Sequence, residues 1–280
     1  MRIDKLSVVV WRTVVVIGFV LLSVVVIWPI LYTVSSALAP GRSAAGLSPM
    51  PFANGVTLDN FQYLFTQTLY ATWFRNSFVI AVATAVGTML FASLAAYVFS
   101  RFAFSFKGSL LTSMIVLQIF PSFVGMIAIY VILMRIGGLD TLWGLVLVYL
   151  GGNLPYSIWL VKSYLDTIPR GLDEAARLDG ASHLRIYATI VMPIARPILL
   201  FLAVTTFAAP WMDFIFPKLV LRSPEQQTLA LGLFSFVSER NSDFTTFAAG
   251  AVIVAIPFMI FFLATQRSLV TSLSTGALKE

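Results

Sequence analysis

The sequence contains no cysteine and a single histidine, and only 11% of its 280 residues are charged. Without thiols there is no disulfide framework and no thiolate metal site. His183 stands apart from any cluster of carboxylates, so no metal site and no catalytic residue is expected; a solvated or partner-facing role suits it better. No GxxxxGK(S/T) run is present, so this chain cannot cradle nucleotide phosphates by that device, and no GxSxG elbow marks a hydrolase. The net charge of +6 would suit nucleic acid, but the basic residues sit in short loops beside apolar runs and form no groove-sized cluster. A proton or sodium pump would bury ionisable groups inside its apolar segments, and these segments hold almost none.

Apolar side chains dominate instead. They make up 59% of the chain, and the mean hydropathy of +0.92 is far too high for a soluble domain. Runs at about 13–32, 73–99, 110–134, 142–161, 197–216 and 247–264 each approach the roughly 20 residues that cross a hydrocarbon core of about 30 Å. The expected fold is all-α, a polytopic membrane protein with six transmembrane helices. The first run also admits a reading as a signal peptide, because Ala37-Leu38-Ala39 mimics a cleavage site; its length and the following Pro40 favour a span. Three divisions are expected: 1–72, a first helix and external loop; 73–268, a transmembrane core; and 269–280, a tail. The loop 33–72 carries a short amphipathic segment with Leu58, Phe61, Tyr63, Leu64 and Phe65, and 217–246 reads as a second long external loop. With both termini in the cytoplasm, twelve of the eighteen Lys and Arg fall inside, which is the orientation favoured by charge.

Small residues from Ala81 to Ala96 equip the second run for helix contact. Gln118 and Pro121 interrupt the third, and Gly151-Gly152-Asn153-Leu154-Pro155 should bend the fourth, either beside a substrate path or for packing alone. Asp213 closes the fifth, where a carboxylate is expected near the outer end or in a wet cavity. Gln118, Asn153, Thr205 and Asp213 are the candidates for a translocation path. Neutral hydrogen-bonding groups suit an uncharged polar cargo, although they also join helices to one another.

One stretch is a polar exception. Between Lys162 and Arg196 lie five Lys or Arg and four Asp or Glu, so this segment, a loop of about 162–196, belongs in water. Pro169 suits an early helical position, 172–178 can form two turns, and Gly180 can end them in the left-handed conformation. Ser182 can cap a second helix whose Leu184, Tyr187, Ala188 and Val191 recur on one face, with Pro193 as its stop. Glu174, Ala175 and Ala176 place one carboxylate beside two small side chains, a surface on which a partner can dock closely.

Glu174-Ala175-Ala176, then Gly180, then Ile190-Val191-Met192-Pro193 resembles the EAA loop of the membrane (permease) subunits of bacterial ABC importers. Met192 departs from the Leu frequent there. Asn153-Leu154-Pro155, Trp159, Lys162, the run from Tyr164 to Pro169 and the ending from Ser274 to Lys279 are similar to the maltose and maltodextrin type (MalG-like) of the carbohydrate-uptake branch. This resemblance implies ATPase coupling through Glu174, Ala175, Ala176, Gly180 and Pro193. It implies no cofactor on this chain, with ATP and Mg held by a partner ATPase. The implied partners are a second membrane subunit, two ATP-binding subunits and an external sugar-binding protein, in the bacterial cytoplasmic (inner) membrane and its lipid bilayer. It also implies a binding-protein contact loop of Ser238, Glu239, Arg240, Asn241, Ser242 and Asp243, and the cargo would be a maltodextrin or a related oligosaccharide. Relatives often carry Asn where this chain has Met212. The alternatives are an importer subunit for another polar solute and a secondary transporter that works without an ATPase.

Overall fold

The structure is a computed structural model, and it describes residues 5–119, 122–238 and 242–277. Helices follow one another along the chain: α1 (Lys5–Leu38), α2 (Asp59–Thr66), α3 (Tyr70–Arg101), α4 (Lys107–Ile119), α5 (Ser122–Arg135), α6 (Leu142–Leu165), α7 (Gly171–Leu178), α8 (His183–Ile186), α9 (Met192–Ile194), α10 (Arg196–Met212), α11 (Ile215–Val220), α12 (Leu229–Phe234) and α13 (Phe244–Ala277). Among the described residues there is no strand beyond the isolated bridge of Ser43 with Asp243. The fold is that of an all-α membrane protein.

Among the described residues four helices are long and apolar enough to cross a bilayer, within Trp11–Leu38, Tyr70–Arg101, Leu142–Leu165 and Phe244–Leu263. A fifth candidate is a broken pair, His183–Ile194 and Arg196–Met212, bent by 79°. Within the expected span at 110–134 the described residues are apolar helix on both sides, α4 up to Ile119 and α5 from Ser122, and the interruption foreseen at Pro121 falls outside the described residues. The bend expected from Gly151 to Pro155 does not break α6, which runs unbroken through all five positions. The loop expected at 217–246 also needs correction. It contains the end of α11, a 3₁₀ turn at Pro224–Gln226 and all of α12, each too short for its periodicity to be read.

The chain divides into two compact units, Met1–Tyr70 with Leu233–Ala255 and Ala71–Gly232 with Ile256–Glu280. The first is centred on Ala37, Ala248 and Ala249, with Phe61 and Val252 against them. Its α2 is the amphipathic segment expected from sequence. Asn60, buried on that helix, donates to the carbonyls of Ala37 and Ala39 at 3.0 and 2.8 Å and so binds α2 to the end of α1.

The second unit is organised on α3. Trp73, Asn76, Ser77, Ile80, Ala81, Thr84, Ala85, Thr88, Ala92, Ser93, Ala96, Tyr97 and Ser100 are all buried, and they recur at steps of one, three and four along one stripe. Most are small. Such a stripe lets neighbouring helices approach, which is how helices pack where lipid removes the hydrophobic drive to associate. Phe78, Val79, Val86, Leu90 and Phe91 occupy the opposite, exposed face. One core of this unit joins Ala92, Ala96, Tyr97 and Phe99 to Ile158, Val161, Leu165, Ile186, Val191 and Leu202. The polar stretch after α6 is therefore seated on the end of α3.

Candidate functional site

The turn between α7 and α8 forms by local chemistry alone. Gly180 has φ +83°, a value strained for L side chains, and the N–H groups of Ala181 and Gly180 donate to the carbonyls of Ala176 and Arg177 at 2.9 and 3.0 Å. That is the paired hydrogen bonding of a Schellman turn, which satisfies carbonyls orphaned at a helix end. Ser182 then caps α8 by accepting from the Arg185 N–H at 3.3 Å.

The second half departs from expectation. After Ile186 the chain widens into a π-helical turn, Tyr187–Val191, and Met192–Ile194 follows without a stop at Pro193. Proline lacks an N–H, and it sits here in the first turn of α9, where none is needed. The break falls at Ala195, immediately before Arg196-Pro197, with Pro197 in the first turn of α10. The wide turn also moves the buried face. Ile186 and Val191 are buried, Tyr187 is half-buried and donates or accepts at the Ser93 hydroxyl at 2.7 Å, and Leu184 and Ala188 are exposed.

Glu174, Ala175 and Gly180 are exposed, as is Pro193, whereas Ala176 packs against the core of the unit. Leu178 and Leu184 are 90% and 69% exposed, so apolar side chains flank the Glu174 carboxylate on the open side. The same helix is fastened from below. Arg101, the last residue of α3, places its Nε 2.7 Å from the Asp173 carboxylate, with side chains only 7% and 13% exposed. Its two Nη atoms donate to the carbonyls of Leu165 and Ile168, each at 3.2 Å. Arg170 donates to the Ser100 carbonyl at 2.9 Å, the Ser100 hydroxyl donates to Asp166 at 2.7 Å, and Lys162 donates to the other oxygen of Asp166 at 2.6 Å. Burial pushes the Asp166 carboxyl up, but the hydrogen bonds from Lys162 and Ser100 outweigh it and hold the group below the usual carboxylate range. Sequence reasoning placed Arg101 in a basic loop and missed this network. Its partners lie too far along the chain for spacing to reveal them.

The candidate path residues are not gathered into one cluster. Gln118 on α4 donates to the Gly152 carbonyl of α6 at 3.2 Å, beside an open apolar groove of about 310 Å³ that Gln118 lines with Pro155, Tyr156 and Trp159. Asn153 is half-buried, and its Nδ2 is enclosed without a hydrogen-bond partner. Thr205 bonds back to the carbonyls of Phe201 and Leu202 within its own helix. Asp213 ends α10, accepts from the Tyr149 hydroxyl at 2.8 Å and from the Ile215 N–H at 2.9 Å, and so starts α11.

Of the candidate contact loop, Glu239, Arg240 and Asn241 lie outside the described residues. Ser238 donates to the Ser235 carbonyl at 3.1 Å, and Ser242 is exposed. Asp243 is largely buried; it caps α13 by accepting from the Thr246 N–H at 3.2 Å and lies 3.9 Å from the Arg42 guanidinium. Among the described residues no three His, Cys, Asp or Glu side chains gather as a metal site would require.

Apolar helices around a small-residue stripe, with an exposed polar helical hairpin locked to one end, define a membrane subunit built to engage a partner. The chain belongs to the family of the binding-protein-dependent transport system inner membrane component, which residues 88–274 match. It is thus a transport subunit and no enzyme. It is 43% identical over 260 residues to the maltodextrin transport system permease protein MdxG of Bacillus subtilis, covering 92% of this chain and 93% of that one. Identity is 36% to the galactooligosaccharides transport system permease protein GanQ of Bacillus subtilis, covering 92% of each, and 31% to the maltose/maltodextrin transport system permease protein MalG of Salmonella typhimurium, covering 94% of each. The fold matches a chain of a bacterial ABC transporter involved in the import of the acidic polysaccharide alginate, with a TM-score of 0.78 at 22% identity, covering 95% and 98% of the two chains.

Proposed function

We propose that this chain is one of two membrane subunits of an ATP-driven importer for a maltodextrin or a related oligosaccharide, delivered by an external binding protein. Two ATP-binding subunits hold ATP and Mg, and the core of about 73–268 receives their movement at the loop of about 162–196. Both termini and that loop face the cytoplasm, and the tail 269–280 lies on the same side. Residues 238–243 face the binding protein. The observation that carries the reading is α7: Glu174 and Ala175 are open to a partner while Ala176 and Asp173 on the same helix are fixed to the core. A helix held on one face and free on the other suits a partner that pushes on it.

ATP-driven closure of the ATPase pair would displace α7 and shift the balance between inward-open and outward-open arrangements of the membrane subunits. Within the bilayer, Gln118, Asn153, Thr205 and Asp213 are proposed to face the cargo. Asn153 carries an amide donor with no protein acceptor, which a sugar hydroxyl could use only after the helices around it move apart.

The test reconstitutes the complete complex with Glu174→Lys and with Gly180→Trp. Both variants should insert and retain ATP hydrolysis while uptake falls at least tenfold. Unchanged uptake would overturn the coupling role, and uptake by this chain alone in liposomes would overturn the ATP-driven reading. Binding of maltodextrins against galactooligosaccharides to the cognate binding protein separates the two cargo classes.

A further inference from the structure

Arg101 touches three pieces of the cytoplasmic end as read above. It belongs to α3. Its Nε lies 2.7 Å from an Asp173 oxygen in the first turn of α7, a close contact of opposite charges without the alignment of a hydrogen bond, and its Nη atoms take the carbonyl of Leu165 at the end of α6 and that of Ile168 in the linker to α7. Each contact uses a different edge of one planar group, so the three pieces are held in a fixed mutual arrangement. A second tie runs parallel to it: Arg170, one residue before α7, holds the Ser100 carbonyl, and Ser100 in turn holds Asp166 at the end of α6.

We infer that the buried Arg101–Asp173 pair is the strut through which a displacement of α7 reaches α3. The inference rests on the coupling role proposed above for α7. The reasoning is geometric. The chain leaves α7 toward the membrane in two directions, back through the linker at Thr167 to Arg170 into α6 and forward through the Gly180 turn and α8 into α10, and neither joins α7 directly to α3. A push on the exposed Glu174 face can move α3 in step only through side-chain contacts. Among these the Arg101–Asp173 pair is charged, short and largely removed from water, so it resists stretching more than apolar contacts, which slide. Ala176 packs nearby as a bearing surface with no directional hold. Because the stripe on α3 that runs from Ser100 back to Trp73 is packed along its length, a shift at Arg101 is passed along a rigid element.

The pair is therefore a positioning device for transport and distinct from the docking residues Glu174 and Ala175. Asp173→Asn keeps the side-chain shape and removes the charge; Arg101→Lys keeps the charge and loses the fork that reaches Leu165 and Ile168. The experiment uses the complete complex in proteoliposomes with its binding protein and measures sugar taken up per ATP hydrolysed, alongside the amount of each variant that co-purifies with the ATPase. We expect both variants to assemble and hydrolyse ATP, with uptake per ATP reduced about tenfold. Uptake per ATP equal to wild type in both variants overturns the inference, and so does failure of both to assemble, which would make the pair a folding element. If Glu174→Lys uncouples while these variants do not, the strut is wrong and the coupling role of α7 stands. If Glu174→Lys has no effect either, the fault lies in that earlier reading.

Discussion

The two ends of α3 are fastened by different chemistry. At the Trp73 end the ties are neutral: the Trp73 indole donates to the Pro224 carbonyl at 2.8 Å, and the Asn76 amide donates to the carbonyls of Glu225 and Gln227 at 2.8 and 3.0 Å. Ser77 accepts the Leu229 N–H at 2.8 Å, and a Cβ on Gly232 would lie 2.2 Å from the Trp73 ring. At the Arg101 end the ties are charged, and they run to a helix with an exposed face. Neutral donors on backbone carbonyls fix a loop in one geometry and are indifferent to salt and pH. Charged ties hold firmly while their partners stay buried together, and they respond to whatever displaces one partner. On the role proposed above for α7, the first end is a fixed seat and the second a linkage.

This contrast can be broken most strongly at Asn76. Asn76→Leu keeps the volume and removes both donors from a buried position, so the Glu225 and Gln227 carbonyls lose their partner at a net cost of about 0.5–1.5 kcal/mol per bond. The expected result is a lower thermal midpoint of the purified complex that is the same at low and high salt, with uptake per ATP unchanged in the surviving fraction. A change in uptake per ATP would mean that this end also transmits movement.

A smaller effect is expected at the turn that shapes the linkage. Gly180→Ala meets no atom within 4 Å, so only backbone strain at φ +83° opposes it, about 1–2 kcal/mol for an L residue in the left-handed region. Thermal unfolding should register that loss with little change in uptake, because the methyl group does not block the docking face. A loss of uptake as large as that expected for Gly180→Trp would show that the turn's conformation, and not its open surface, matters to the partner.

The turn was legible from sequence because its causes are local. Gly180 and Ser182 carry their own conformational preferences, and Asn60 and Leu64 sit on a segment short enough for its pattern to show. The reading failed where neighbours decide. Pro193 stops nothing because a π-helical turn precedes it, and that turn exchanged Leu184 for Ile186 in the buried row. Arg101 and Asp173 are brought together only by the packing of α3 on α6, so neither announces its partner. The family resemblance suggested the proposed coupling role of Glu174 but not the manner in which its helix is held.

The smallest effect belongs to Asp166, at the outer part of the charged end. Its side chain is 43% exposed, and its bond to Lys162 spans one helical turn, so solvent screens it and the pair is worth only about 0.3–0.5 kcal/mol. The sign of its pH dependence follows from its lowered carboxyl. A group more acidic in the folded state stabilises that state fully above the ordinary carboxylate range and loses the contribution as pH falls through its folded value. Asp166→Asn should therefore lower the thermal midpoint slightly at neutral pH, and the difference from wild type should vanish on acidification and shrink in high salt. The same titration should leave the Asn76→Leu difference untouched, since no charge takes part in that end of α3. If Asp166→Asn instead lowered the midpoint as much as Asn76→Leu, and high salt did not reduce the effect, the charged end would be as static as the neutral one.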